Sequence, residues 1–159
     1  MQGLADRARE LGKILQQRRF SVVTAESCTG GGIARLLTDE PGASSWFERG
    51  FVTYSNLSKE EMLGVPRSLL ETHGAVSEEV VLAMARGALA HSNGDVSISV
   101  SGVAGPDGGT AEKPVGTVWI GWGLGEDVAE AQHFLFPGDR DELRNRSMLA
   151  AMEGLIQRL

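Results

Sequence analysis

Apolar residues recur along the chain with the periods of both helices and strands. Near the start, positions spaced by four, three and four residues form one face of a helix over about 3–18: Leu4, Ala8, Leu11 and Leu15. The largely apolar segment 20–25 that follows is typical of a buried strand. The change of period indicates a chain that mixes helices and strands.

The same patterns predict the remaining elements. Along the chain they are a helix from 33 that ends at 39–42, a strand at 49–54, a short helix after 57, a longer helix opened by Ser77 and ended by 93–94, strands at 95–100, 115–123 and 128–136, and a final helix capped by Asp139. Ser58 and Glu61 have the spacing of a capping box, which places the start of the short helix at Ser58. A polar turn at 124–127 predicts a hairpin between the last two strands.

The predicted order is therefore α-β-α-β-α-α-β-β-β-α, in one domain over 1–159. Early alternation of strands and helices is typical of a largely parallel sheet with helices on both faces. The terminal hairpin makes the sheet mixed. The expected fold class is α/β, with a mixed, mostly parallel sheet of about five strands.

Three loops that follow predicted strands are rich in reactive or glycine residues: 26–32, 54–59 and 101–109. Ligands of open α/β sheets bind beyond the carboxyl ends of the strands. If the first three strands are parallel, these loops emerge at one edge of the sheet. The sequence therefore predicts a site where they meet.

The first loop places Ser27 just before a helix. Free N–H groups and the helix dipole favour negative charge there, so Thr29, Gly30 and Gly31 could present N–H groups to an oxyanion or a phosphate. Taken alone, the turn favours a structural interpretation, in which Ser27 or Thr29 caps the helix and the glycines allow close packing. Cys28 is interpreted as a buried structural thiol.

The second loop holds a candidate base. Lys59 is one of three lysines, against twelve arginines, and a lysine can lose its proton when it is desolvated. No histidine lies in these loops, so Lys59 is the natural base for Ser27, with Tyr54 relaying or orienting a proton. The alternative is a solvated lysine at a helix start and a tyrosine that packs at a strand end.

The third loop could wrap around a ligand. Its backbone could approach a ligand closely at three glycines: Gly102, Gly105 and Gly108. A flexible connection would have a similar composition. Three arginines near the start of the last helix could clamp a phosphate, although exposed arginines without such a role are common: Arg140, Arg144 and Arg146.

Composition and charge argue against several classes of function. The 159 residues carry a formal net charge of -6, which argues against a nucleic-acid-binding surface. The N-terminus lacks an apolar signal-peptide core and no apolar run is long enough to span a membrane. One cysteine and three scattered histidines predict neither a disulfide nor a zinc site. A cytoplasmic protein that contacts neither nucleic acid nor membrane is expected.

Six segments, in this order, resemble the CinA C-terminal domain family and together span nearly the whole chain: 24–31, 41–47, 52–56, 74–77, 101–109 and 113–118. The resemblance implies a three-layer α/β/α sandwich. Longer relatives carry a preceding domain similar to molybdopterin-binding proteins. This chain begins too late to contain one, so the stand-alone amidase form is expected.

The resemblance also implies an activity. Nicotinamide-nucleotide amidases of this family hydrolyse nicotinamide mononucleotide to nicotinate mononucleotide and ammonia, and no metal or organic cofactor is expected. The family's nucleophilic serine falls on Ser27, and its tyrosine and lysine fall on Tyr54 and Lys59.

Two other functions stay open at this point. One is a non-catalytic module that binds a pyridine nucleotide or a protein, and the other is a hydrolase for a different small amide or ester. The expected partner is the small-molecule substrate. The apolar stripe of the first helix would suit either the interface of a homo-oligomer or the core.

Overall fold

In the computed structural model, which describes residues 3–159, a mixed sheet lies between two layers of helices. Its strands are β1 (Val22–Glu26), β2 (Phe47–Val52), β3 (Val96–Gly102), β4 (Thr117–Gly123) and β5 (Ala129–Leu135), in the spatial order β2-β1-β3-β4-β5. β1 pairs in parallel with β2 and β3, whereas β4 is antiparallel to β3 and to β5. Four of the five strands thus run in one direction, which confirms the predicted mixed, mostly parallel sheet.

The helices are α1 (Leu4–Arg18), α2 (Gly32–Thr38), α3 (Asn56–Leu63), α4 (Arg67–His73), α5 (Glu78–Ala90) and α6 (Arg140–Arg158). The side chains of Ser77 and Asp139 cap α5 and α6, as the sequence predicts. No helix within residues 3–159 combines the length and the apolar character that crossing a membrane requires.

Two apolar cores cover the two faces of the sheet. Successive side chains of a strand point to opposite faces, so Val22 joins the core beneath α1, α2 and α6, whereas Val23 joins the core beneath α3, α4 and α5. The apolar stripe of α1 lies in the first core, where Leu11 and Leu15 are fully buried. Of the two interpretations of that stripe, the core is the one observed.

Three boundaries differ from the prediction. α3 begins a turn earlier than the spacing of Ser58 and Glu61 suggested, because Ser55 is the cap: its Oγ accepts from the Ser58 N–H at 3.0 Å. α4 was not predicted as a helix, since its seven residues are too few to show a period. β2 is shifted toward the N-terminus by two residues, because this half-exposed edge strand lacks a clear apolar alternation.

Candidate active site

The three strand-end loops meet around one pocket, as parallel pairing of β1, β2 and β3 requires. The pocket has a volume of about 300 Å³. Its walls come from five parts of the chain: 27–28, 54–59, 75–76, 101–108 and Arg140. The candidate site therefore lies at the carboxyl edge of the sheet.

Ser27 and Lys59 are in direct contact in this pocket. Lys59 Nζ lies 3.1 Å from Ser27 Oγ. The same Nζ also donates to the main-chain carbonyls of Thr53, at 2.8 Å, and Tyr54, at 3.1 Å. A neutral amine has two hydrogens and one lone pair, so the two carbonyls can take the hydrogens while the lone pair faces the serine hydroxyl.

Burial sets the protonation of Lys59. Only 1% of this residue is exposed, and it is among the largest fully buried residues of the described chain. Desolvation disfavours the ammonium form and lowers the pKa of Lys59 from 10.5 to about 8. A solvated lysine, which was the alternative interpretation, is therefore excluded. About a tenth of this side chain is therefore uncharged and able to accept a proton at pH 7, far more than for an ordinary lysine.

The turn that carries Ser27 is held by the carboxylate of Glu26. This buried side chain accepts from the N–H groups of Ile33, at 2.9 Å, and Ala34, at 3.0 Å, at the start of α2. It also accepts from Thr29 Oγ1 at 2.6 Å. The Ser27 N–H is fixed in turn to the Val100 carbonyl of β3. A carboxylate at a helix N-terminus neutralises free N–H groups and complements the dipole, so Glu26 rather than Ser27 or Thr29 caps α2.

Thr29, Gly30 and Gly31, which were predicted to bind substrate, do not line the pocket. The Thr29 hydroxyl is bound to Glu26, and the Gly30 N–H donates to the Ser27 carbonyl at 3.0 Å. Gly30 and Gly31 have φ values of 59° and 93°, in the left-handed region that favours glycine. In this structure the glycines shape the turn that presents Ser27.

The three arginines of α6 differ in position. Arg140 lines the pocket and donates to the Gly105 carbonyl at 2.8 Å. Arg144 lies behind the first loop, where its guanidinium donates to the carbonyls of Cys28 and Thr29 at 3.0 and 3.3 Å. Arg144 therefore ties α6 to the turn that carries Ser27. Arg146 is not among the pocket residues.

Tyr54 contributes its main chain to the Ser27–Lys59 pair. Its carbonyl accepts from Lys59 Nζ and lies 3.4 Å from Ser27 Oγ. Its side chain does not lie between the two, and 63% of the residue is exposed. Within residues 3–159 the phenol hydroxyl forms no hydrogen bond.

The third loop forms part of the pocket wall and includes all three predicted glycines, Gly102, Gly105 and Gly108. A Cβ at Gly102 would lie 3.2 Å from the sulfur of Cys28, so this glycine lets the loop pass close to the first turn. Lys113, beyond the pocket, donates from Nζ to the His73 carbonyl at 2.6 Å. This contact joins the third loop to the C-terminus of α4.

Cys28 is buried beside the pocket. Its burial raises the pKa of the thiol from 9.0 to about 11. The thiol is therefore uncharged at neutral pH, in agreement with the interpretation of a structural cysteine. Its main-chain N–H, next to the nucleophile candidate, donates to no main-chain carbonyl within residues 3–159.

Sequence reasoning did not identify several wall residues. Asn56 lies in the first turn of α3, one turn from Lys59, and Asp107 lies on the third loop. Ala75 and Val76 come from the connection between α4 and α5. The segment 74–77 was one of the family-like segments, but no chemistry in its small apolar residues pointed to a pocket wall.

A larger cavity, of about 560 Å³, lies at the opposite edge of the sheet, between α5 and the β4–β5 turn. The described residues around it include no serine, threonine, cysteine or lysine. Its Asp95 carboxylate is already bound to Ser21, with the Ser21 N–H at 2.8 Å. Of these two cavities, the smaller one is lined by a serine and a lysine among the described residues.

The protein is thus an α/β/α sandwich that holds a serine and a buried lysine together at the carboxyl edge of its sheet. Residues 4–159 match the CinA C-terminal domain family, and the chain belongs to that family. The nicotinamide-nucleotide amidohydrolase PncC of Pseudomonas putida is 53% identical over 94% of this chain and 93% of its own length. The protein of the same name from Escherichia coli strain K12 is 49% identical over 93% and 90%.

A solved structure agrees with the fold. The competence/damage inducible protein CihA from Agrobacterium tumefaciens superposes with a TM-score of 0.94 and 41% identity, covering 97% of this chain and 94% of that chain.

Proposed function

We propose that this chain is a nicotinamide-nucleotide amidase that hydrolyses nicotinamide mononucleotide to nicotinate mononucleotide and ammonia, with Ser27 as the nucleophile and Lys59 as the base. The observation that carries the proposal is the 3.1 Å contact between Lys59 Nζ and Ser27 Oγ inside the pocket. The names of the relatives from Pseudomonas putida and Escherichia coli support the choice of substrate. A binding module would need no desolvated lysine beside a serine, so the contact favours an enzyme.

The chemistry proceeds through an acyl-enzyme. Neutral Lys59 takes the proton of Ser27 as Oγ attacks the carboxamide carbon, and the resulting ammonium then protonates the departing amine, which leaves as ammonia. Water attacks the ester carbon, Lys59 takes a proton from this water, and Oγ leaves with that proton as nicotinate mononucleotide forms. The two carbonyls that hold Lys59 keep its lone pair directed at the serine in both halves.

The oxyanion of each tetrahedral intermediate needs donors beside Ser27. The Cys28 N–H follows Ser27 in sequence and donates to no main-chain carbonyl within residues 3–159, whereas the N–H of Ser27 itself is bound to the Val100 carbonyl. A donor of this kind contributes about 3–4 kcal/mol to transition-state stabilisation in comparable sites. Gly30, whose N–H is already bound to Ser27, is not a donor in this arrangement.

The substrate phosphate is assigned to Arg140. This arginine lines the pocket and uses one of its five N–H groups on Gly105, so further donors remain for a phosphate oxygen. Gly102 and Gly108 of the third loop also line the pocket and carry no side chains that would fill it. No metal or organic cofactor enters any step.

The direct test is ammonia release from nicotinamide mononucleotide by purified protein, compared with nicotinamide riboside, free nicotinamide and unrelated small amides. The proposal expects the mononucleotide to be the preferred substrate and Ser27→Ala to abolish release. Circular dichroism and the thermal midpoint of Ser27→Ala provide the control for folding. Full activity in Ser27→Ala would refute the nucleophile, and preference for an unrelated amide would refute the substrate.

A further inference from the structure

The ring of Tyr54 is a large aromatic surface left in water at the pocket. Tyr54 is 63% exposed although its own carbonyl touches both Ser27 and Lys59. Its hydroxyl has no partner within residues 3–159, so no hydrogen bond accounts for its position. An exposed aromatic residue at a pocket is a feature of ligand-binding surfaces.

The position of Tyr54 places it within reach of the ring of an aromatic carboxamide. A carboxamide carbon attacked by Ser27 Oγ is bonded directly to its aromatic ring. Tyr54 O lies 3.4 Å from that oxygen, so the main chain of Tyr54 borders the space in which the substrate ring must lie. A side chain that starts there can cover one face of this ring.

The positive charge of the nicotinamide ring favours contact with the face of an aromatic side chain. Its pyridine nitrogen carries the ribose and is formally positive, and a cation is attracted to the face of a tyrosine ring. Among the described residues that line the pocket, Asp107 is the only carboxylate, and its negative charge also favours a cation in the pocket. The reduced dihydropyridine nucleotide has the same phosphate and carboxamide but a neutral, non-aromatic ring.

From this geometry we infer that the Tyr54 ring stacks on the pyridinium ring and selects the oxidised, positively charged nucleotide over its reduced, neutral form. The inference rests on the proposed function, since it concerns how the same pocket holds the pyridinium ring of the proposed substrate. It gives Tyr54 a role in specificity that depends on the aromatic face and not on the hydroxyl. A proton relay through the phenol would depend on the hydroxyl instead.

Two substitutions separate these roles. Tyr54→Phe keeps the ring and removes the hydroxyl, whereas Tyr54→Leu removes the ring and keeps apolar bulk. Dissociation constants of oxidised and reduced nicotinamide mononucleotide are measured by calorimetry in the Ser27→Ala protein, which removes turnover. The kcat/KM for the oxidised nucleotide is measured with Ser27 intact. Leu57→Ala is the matched control, because Leu57 is an exposed apolar residue of α3 outside the pocket.

Tyr54→Leu should weaken binding of the oxidised nucleotide by about 5- to 30-fold and leave the reduced form nearly unchanged. Tyr54→Phe and Leu57→Ala should keep the preference for the oxidised nucleotide. An unchanged preference in Tyr54→Leu, or a Tyr54→Phe protein as impaired as Tyr54→Leu, would overturn the inference. Wild-type protein that binds the nucleotide but releases no ammonia would refute the proposed function alone, because the binding comparison does not depend on turnover.

Discussion

Lys59 Nζ lies 3.1 Å from Ser27 Oγ, and the two residues follow different strands: Ser27 lies in the turn after β1, and Lys59 lies on α3, which follows β2. Parallel pairing of β1 with β2 brings both segments to one edge of the sheet, where burial of the amine and two fixed carbonyl acceptors set its charge and direction. The pair is therefore a product of the sheet topology. Its behaviour with pH follows from the pKa of the lysine.

Activity should rise with pH through the pKa of Lys59. The proposed base works in its neutral form, and because burial lowers the pKa of Lys59 in the free protein to about 8, the neutral fraction is about a tenth at pH 7 and about nine-tenths at pH 9. We expect kcat/KM for ammonia release from nicotinamide mononucleotide, which reports pKa values of the free protein, to increase about tenfold per pH unit below pH 7 and to level off above pH 9. Lys59→Met should lose most activity together with this rising limb. Lys13→Met, at an exposed position of α1, should keep the wild-type profile. A rising limb that persists in Lys59→Met would exclude Lys59 as the base.

The cap formed by Glu26 should matter for stability and for catalysis. Glu26→Gln replaces one acceptor oxygen by a donor that faces N–H groups and removes the charge at the start of α2. We expect a loss of about 1–3 kcal/mol in the free energy of unfolding, measured with urea, and a lower kcat with little change in KM. Glu61→Gln, at an exposed position of α3, is the control. Equal stability of the two variants would show that the carboxylate does not support the turn.

Much of the fold could be predicted because its signals are local. The spacing of Leu11 and Leu15 marks a helix face, and Ser77 and Asp139 mark helix starts through side chains that cap nearby N–H groups. Convergence of the three loops follows from parallel pairing, which alternation of strands and helices predicts. The short helix α4 has too few residues to reveal a period.

The site was predicted less completely, because it is formed by side chains that lie up to about a hundred residues apart in the sequence. Ser27, Tyr54 and Lys59 share one pocket, as expected, but the sequence does not show that Tyr54 contributes its carbonyl and leaves its ring exposed. The roles of Glu26 and Arg144 were also missed. A carboxylate that precedes a serine gives no local sign that it turns back to cap α2.

Arg140 and Arg144 should have different effects on substrate preference. Arg140 lines the pocket, so Arg140→Met should lower kcat/KM for nicotinamide mononucleotide by about 10- to 100-fold and spare nicotinamide riboside, which has no phosphate. Arg144 binds the carbonyls of Cys28 and Thr29, so Arg144→Met should lower kcat for both substrates to a similar degree. The ratio of kcat/KM values for the two substrates separates the roles. A preserved ratio in Arg140→Met would show that this arginine does not bind the phosphate.

Cys28 should react slowly with thiol reagents in the folded protein despite its place beside the pocket. Alkylation requires the thiolate, and burial raises the pKa from 9.0 to about 11, which lowers the thiolate fraction near pH 8 by about 100-fold relative to an ordinary thiol. We expect iodoacetamide to modify the folded protein at least about 100-fold more slowly than the same protein in urea, as followed by mass spectrometry. Because the pKa lies above the range tested, the folded rate should increase about tenfold for each unit between pH 8 and about pH 10. Rapid modification at neutral pH, or a rate independent of pH, would mean that the thiol is ionised next to Ser27.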